Sequence, residues 1–396
     1  MSTGAGYGWF LAGAGSWFGA WGMQTVLFSW LVVGELDASA QWVGVLQTST
    51  MLPTVVLLLV GGVTADRYDP RGLLIKLYLL ATVPVLLLAA GAASERLAIA
   101  GLFLYGLGMG TVSSFTMPAR DALLSRVAGP DMMRAVTGTT ATQFGAQAAG
   151  TLVAGAASWI GSAPMLVAQA AVLVAGSLVT RRVPVEAARP VALGSPSVLR
   201  EVREGVADVA RSPRLRAALG LAMAVGFLFI GPFLVVYPLL VRDHYRGGVA
   251  ELSHVLMMFP LGTIIGSMWL RRRGGIVRKG RAALASLAVA SLILAGVGCG
   301  PPFPGVVALT LAWGLCAAVF INCTRTLFQE AAPPTRRARA LSVYQLGFMG
   351  MGPLGALAAG ALAARVGPLG ALQLFACGML AVVAYAALAT GTARME

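Results

Sequence analysis

Long apolar runs alternate along the chain with short clusters of charged and turn-forming residues. Runs bounded this way fall at about 9–34, 41–64, 72–92, 97–118, 135–159 and 163–180, then at about 215–241, 250–270, 281–299, 304–325, 341–365 and 368–390. A helix needs about 20 apolar residues to cross a bilayer core of ~30 Å. The pattern therefore predicts an all-α membrane protein with twelve transmembrane helices, six in each half. Gly and Pro interrupt several runs, which membrane helices tolerate where neighbouring helices satisfy the freed backbone groups.

Composition removes the alternatives. Of 396 residues, 58% are hydrophobic and 11% charged, against roughly a quarter charged in a soluble domain. A soluble enzyme, a disordered chain and a disulfide scaffold are excluded. The four cysteines, Cys299, Cys316, Cys323 and Cys377, lack the close spacing of a metal site and read as small packing residues. The only histidines, His244 and His254, have no ligand partners at metal spacing. No metal, cofactor or catalytic cluster is expected. The N-terminus carries no Lys or Arg before the first run, so no cleavable leader is expected.

The net charge of +14 would suggest a nucleic-acid partner in a soluble protein, but its placement says otherwise. With both termini on one side, 25 of the 29 cations fall on that side; only Arg96, Arg242, Arg246 and Arg365 fall on the other. Such asymmetry orients the chain with both termini in the cytoplasm of an inner or plasma membrane. Basic loops facing an anionic leaflet account for the charge with no nucleic acid.

The longest polar stretch, Arg181 to Arg216, separates the two sets of six and contains Pro184, Pro190 and Pro196. It divides the chain into an N-terminal bundle (1–182), a linker (183–213) and a C-terminal bundle (214–396). Within the linker, Val198, Leu199, Val202, Val206 and Val209 share one helical face, with charges opposite. This predicts an amphipathic helix on the cytoplasmic surface. A shift of 205 residues superimposes Arg120 on Arg325, Arg134 on Arg339, Gly145 on Gly350, Gly150 on Gly355 and Gly155 on Gly360. The matched Arg pair implies an internal repeat, an arrangement typical of secondary transporters.

The loop after span 2 reads Gly62-Val63-Thr64-Ala65-Asp66-Arg67-Tyr68-Asp69-Pro70-Arg71. It resembles the G-x-L-A-D-R-x-G-R-K loop signature of the major facilitator superfamily, with Thr64, Asp69 and Pro70 as departures. Those departures resemble the subgroup of transmembrane secretion effectors that includes enterobactin exporters and macrolide efflux pumps. Further matching stretches are Gly34 to Ala40, Pro118 to Leu123, Arg203 to Gly205 with Ser212-Pro213, Gln329 to Pro333 and Arg336 to Arg339, so the likeness spans the whole chain. It implies two six-helix bundles with alternating access, and export rather than import.

The resemblance also implies a conformational latch, with candidates Gly62, Asp66, Arg67, Arg71, Asp121, Glu330 and Arg339. A carboxylate at Asp66 can face the positive N-terminus of span 11, and Arg67 can pair with Asp121 at the end of span 4. Taken singly, such charges are solvated topology determinants; the loop signature gives Asp66 and Arg67 the latch role, while for Arg71 and Asp121 both readings stand. The matching stretch of the second half, Gly266 to Arg281, has no Asp or Glu, so the latch is expected to be asymmetric.

Trp17, Trp21, Gln24 and Phe28 recur at helical spacing in span 1, and Phe229, Phe233 and Tyr237 in span 7. Because spans 1, 4, 7 and 10 line the central cavity in the resembled family, these rings, with Phe115 and Trp313, are candidate cavity walls. Packing against other helices or lipid is the equal alternative for each ring. Amides in a bilayer need partners, which makes Gln24, Gln143, Gln147, Asn322 and Gln345 stronger cavity candidates. Spans 5 and 11 are rich in glycine, allowing close, sliding backbones. The Gly-Pro pair that drug antiporters of the resembled family carry in helix 5 stands here in span 11, as Gly352-Pro353.

No ionisable residue lies near the middle of any span, where proton-coupled carriers commonly keep one. If protons drive transport, Asp121 or Glu35 at the mouths is the candidate; a facilitator stands as the alternative. The expected partners are the bilayer, a small amphipathic substrate such as a siderophore, drug or lipid-like metabolite, and protons under the antiport reading, with the protein a monomer. An uptake carrier is the rival within transport, and a non-transporting receptor or scaffold the rival outside it.

Overall fold

The computed structural model describes residues 3–128, 132–184, 206–207, 209–273, 276, 278–331 and 337–389. Among them every regular element is helical and no strand occurs. The helices are α1 (Thr3–Trp30), α2 (Ala40–Arg67), α3 (Pro70–Ala93), α4 (Ile99–Val127), α5 (Met132–Ala154), the short α6 (Ala157–Ile160) and α7 (Ser162–Thr180). They continue as α8 (Pro213–Val225), α9 (Gly231–Leu239), α10 (Val249–Arg272), α11 (Lys279–Gly298), α12 (Phe303–Ala331), α13 (Arg337–Gly350) and α14 (Gly352–Ala389). Eight helical segments of the described residues are long and apolar enough to cross a membrane. Most of the surface helix expected from Val198 to Val209 lies outside the described residues.

Local sequence sets the helix ends. Asp69 caps α3 by accepting the Gly72 N–H at 2.8 Å, with Pro70 at the first helical position. Ser212 caps α8 in the same way, accepting from Leu215 ahead of Pro213. A side-chain acceptor followed by a proline satisfies the first-turn donors and presets φ. Gly367, at φ 74°, breaks α14 into two helical parts, a conformation that a Cβ would strain.

Backbone features recur along the chain at a spacing close to the 205-residue shift of the sequence. α1 ends in a π-turn over Leu31–Glu35, closed by the Leu36 N–H on the Leu31 carbonyl; α9 ends in a π-turn over Leu240–His244, closed by Tyr245 on Leu240. One residue beyond each closure the chain turns left-handed, at Asp37 (φ 46°) and Arg246 (φ 52°). The other positive-φ residues among those described are Glu95, Gly161, Gly300 and Gly367. Glu95 pairs with Gly300 and Gly161 with Gly367, so all three pairs sit about 205 to 209 residues apart.

The chain forms two compact units. The first takes the described residues of Met1–Ala38, Ser49–Ser195 and Gly247–Met257; the second takes those of Ser39–Thr48, Pro196–Arg246 and Met258–Glu396. Helices α2 and α10 therefore each divide between the units along their length. In the first unit the start of α10 is bonded to α5: Ser253 Oγ donates to the Thr151 carbonyl at 2.7 Å. In the second, the start of α2 packs on α14, where a Cβ on Gly360 would lie 2.6 Å from the Ala40 carbonyl oxygen. Thr48 Oγ1 donates there to the Pro353 carbonyl at 3.0 Å.

Inside the first unit, α1 lies on α5 with backbones almost touching: a Cβ on Gly150 would lie 2.0 Å from the Gly19 carbonyl oxygen. The equivalent approach in the second unit sets Gly355 against the π-turn Gly226–Ile230 that follows α8, where a Cβ on Gly355 would lie 2.4 Å from the Phe227 carbonyl oxygen. Without a hydrophobic driving force between helices in lipid, such close packing supplies much of their attraction. Phe18, Leu27, Tyr78, Leu102 and Leu166 fill the first interior; Tyr237, Trp313 and Phe328 anchor the second.

Candidate functional site

At the α2–α3 turn, Gly62 has open space around it and Arg67 is exposed with no ion pair among the described residues. The carboxylate of Asp66 and the guanidinium of Arg339 lie outside the described residues. Asp121 is bound by its neighbour rather than by Arg67: Arg120 Nη2 reaches Asp121 Oδ1 at 2.6 Å and Arg120 Nε reaches it at 3.0 Å. Chain adjacency favours this pair, since neighbouring residues need no chain closure to bring their side chains together. Arg71 is half-buried, and its Nη1 donates to the Val183 carbonyl at 3.0 Å, tying the α2–α3 turn to the chain after α7.

Two ion pairs escaped the reading of the chain. Arg126 Nη1 lies 3.6 Å from Asp69 Oδ1, joining the end of α4 to the start of α3. Lys279 Nζ lies 3.0 Å from Glu330 Oε2, joining the start of α11 to the end of α12. These are equivalent places in the two units, with the charges exchanged. Both pairs are partly exposed, so each contributes about 0–1 kcal/mol; their effect is to fix register between helix ends. Glu35, at the outer end of α1, accepts the hydroxyl of Ser162 at the start of α7.

The aromatic candidates separate into two kinds of packing. In the second unit Phe229, Phe233 and Tyr237 converge with Phe259 on Trp313, at centroid separations of 5.4, 5.7, 5.7 and 5.4 Å. Trp313 and Tyr237 are fully enclosed, and the Tyr237 hydroxyl accepts from Thr310 Oγ1 at 3.3 Å. Edge-to-face and tilted pairs of this kind contribute about 0.5–1.5 kcal/mol each beyond burial. They form a packed cluster, in which Phe233 and Phe259 are the half-exposed rings. In the first unit Trp17 is buried and stacks on Tyr78 at 5.4 Å, and Phe28 stacks on Tyr105 at 5.4 Å. Trp21 and Phe115 are only half-buried.

The amides are less committed. Gln24, Gln143 and Gln147 are half-buried and Gln345 is exposed, and none of these side chains hydrogen-bonds to a described residue. Gln147 stands at the α1–α5 crossing, where its carbonyl oxygen would lie 2.2 Å from a Cβ on Gly22. Asn322 is exposed and satisfied locally, donating to the Ala318 carbonyl at 2.8 Å and to Ser267 Oγ at 3.5 Å. In the first unit the unpaired amides and half-exposed rings on α1, α4 and α5 are groups able to stack and to hydrogen-bond. Among the described residues no group of three or more His, Cys, Asp or Glu is placed to hold a metal.

Comparison with known proteins adds the family. Residues 9–393 match the transmembrane secretion effector family. The multidrug efflux pump Tap of Mycolicibacterium fortuitum is 26% identical over 380 residues, covering 90% of this chain and 87% of that protein. Among solved structures, the nucleoside transporter NupG superimposes with a TM-score of 0.75 at 15% identity, covering 96% of this chain and 98% of that one. A bacterial homologue of the human lysosomal transporter Spinster, in an inward-facing and unoccupied conformation, gives 0.71 at 13% identity, covering 98% and 96%. At these identities the two structures establish the likeness of fold. The match to the family over nearly the whole length, on an all-helical chain of membrane-spanning helices, means that this protein is a multi-pass membrane transporter belonging to the transmembrane secretion effectors of the major facilitator superfamily.

Proposed function

We propose that the protein exports amphipathic organic compounds across the plasma membrane by alternating access, as a twelve-helix carrier of two six-helix halves with both termini in the cytoplasm. The observation that carries export is the efflux-pump relative aligned over 90% of the chain. The helix count is supported by addition: the eight segments already noted become nine where Gly367 divides the last, and α1, α2 and α5, each 23 to 28 residues long, make twelve. The paired left-handed residues support two halves of like topology. Within the first unit, half-exposed Trp21 and Phe115, with the unpaired amides of Gln24, Gln143 and Gln147, supply groups suited to flat, partly polar molecules.

The energy source in this reading is proton antiport, through a carboxylate at a mouth of the carrier. Asp121 is the first choice: its partner Arg120 shares its helix, so a change in exposure of that helix end changes the solvation of both. Asp66, Arg67 and Asp121 serve as the cytoplasmic latch. Everted membrane vesicles test the reading. They should accumulate the amphipathic dye Hoechst 33342 when energised with an inside-acid pH gradient, and lose that accumulation on adding a protonophore and in the Asp121→Asn variant. Accumulation no greater than in vesicles lacking the protein would overturn the export reading, and equal rates with and without the gradient would overturn antiport alone.

A further inference from the structure

We infer that the first unit holds a site for a single carboxylate group of the substrate, built from Arg120 Nη1 of α4 and the indole N–H of Trp17 of α1. This rests on the transport reading above and adds to it a preference, among amphipathic substrates, for those that carry one carboxylate.

The inference starts from donors that lack acceptors. Arg120 is 13% exposed, although it lies on an apolar helix. Asp121 engages only its Nε and Nη2. Nη1 is fully buried and bonded to nothing, and the Trp17 Nε1 is in the same condition. Guanidinium and indole nitrogens only donate, so what completes them must accept. Buried donors are nearly always paired; the first unit also leaves Arg71 Nε, the Tyr105 hydroxyl and Gln169 Oε1 without partners, but the two donors that share one turn of α1 are the ones that point to an absent acceptor.

The surroundings fix both donors in place. The guanidinium lies over the Phe18 ring, 5.0 Å from its centroid, an arrangement that sets its plane. Trp17 stacks on Tyr78, which is itself tethered by its hydroxyl to the Gly13 carbonyl at 3.2 Å. Phe18 follows Trp17 directly on α1, so both donors stand against the same turn of that helix. Three of the described carboxylates are engaged elsewhere: Glu35 is held by Ser162, Asp69 by Gly72 and Arg126, and Glu251 by the Gly248 N–H. A planar fork with one open nitrogen suits a carboxylate oxygen, and an aromatic flank suits the apolar body attached to it. Asp121 already offsets one unit of charge, so the site takes one anionic group and no more.

A matched pair of probes tests this: dansylglycine, which carries a carboxylate, and dansylglycinamide, which replaces it with a neutral amide. Binding to the purified full-length protein is followed by energy transfer from tryptophan to the dansyl group. The acid should bind at least tenfold tighter than the amide. Arg120→Gln should erase that preference and Arg120→Lys should keep part of it. Trp17→Phe, which retains a ring and removes the N–H, should lower affinity for the acid several-fold and leave the amide unchanged; this variant decides the matter should Arg120→Gln fail to fold. Equal binding of acid and amide by the wild type, binding of neither, or a preference that survives both Arg120→Gln and Trp17→Phe overturns the site. Dye transport in vesicles is scored separately: a preserved acid preference in a protein that moves no dye would count against transport and not against the site.

Discussion

The crossing of α1 and α5 offers a measurement in which one helix carries both the perturbation and its control. Gly150 faces the Gly19 backbone so closely that an added Cβ would stand 2.0 Å from its carbonyl oxygen and 2.7 Å from its carbonyl carbon. Ordinary contact begins near 3.4 Å, so Gly150→Ala must push the two backbones apart by about 1.4 Å. The obstacle is main chain, which has no rotamer to yield. Separation also pulls on the neighbouring contacts, where Thr151 Oγ1 bonds the Gly22 carbonyl at 3.4 Å. Inserting volume into a packed interface costs about 1–3 kcal/mol. Five residues earlier, Gly145 has nothing within reach of a Cβ, and Gly145→Ala should instead gain about 0.5–1 kcal/mol from helix propensity. Thermal unfolding of the two purified variants in one detergent reads the difference: Gly150→Ala should melt well below the parent and Gly145→Ala at or above it. Equal melting temperatures would refute the idea that glycine is required at this crossing because of backbone approach.

Four further outcomes follow from particular contacts. Asp69→Ala removes both the cap of α3 and the partner of Arg126 and should cost about 1 kcal/mol, whereas Arg126→Ala, losing only a partly exposed ion pair, should cost less than about 1 kcal/mol; the order of the two melting temperatures checks this. Trp313→Ala opens the centre of the aromatic cluster and should cost about 3–5 kcal/mol, measured by denaturant titration of the folded fraction. Ser162→Ala deprives Glu35 of its donor and should lower stability by about 1 kcal/mol, an effect absent when Glu35→Gln is already present. Gly161→Ala places a Cβ at φ 86° and should cost about 1–2 kcal/mol by the same assay.

The all-helical, membrane-spanning character could be read from the chain because lipid imposes a simple rule on it: apolar length announces a span. The glycines of spans 5 and 11 also gave a sound expectation, since Gly150 and Gly355 do lie against other backbones, though Gly145 faces open space. Which way a ring points was less legible. Trp17 and Phe28 share a face with Gln24 by spacing, but an apolar helix inside a bundle has partners on several sides, and both rings found tyrosines on α3 and α4. Charge partners were the least legible: helical spacing and loop signatures say nothing of distance in space, so Asp121 was matched with Arg67 although Arg120 stood beside it. Lys279 with Glu330 and Arg126 with Asp69 join residues some fifty apart in the chain, and only folding reveals them.

The paired left-handed positions bear on how the chain acquired its two halves. Asp37 corresponds to Arg246 and Glu95 to Gly300, so chemistry at these bends has drifted while the dihedral angles have stayed; only Gly161 and Gly367 still share a residue. A duplicated ancestor would explain this if the bends were retained as hinges of the path, each copy free to change its side chains so long as the route between helices survived. Ancestry in such proteins is then better sought in torsion angles than in letters, and exchanging a bend such as 36–38 for 245–247 should preserve the trajectory of the chain while importing a wholly different charge.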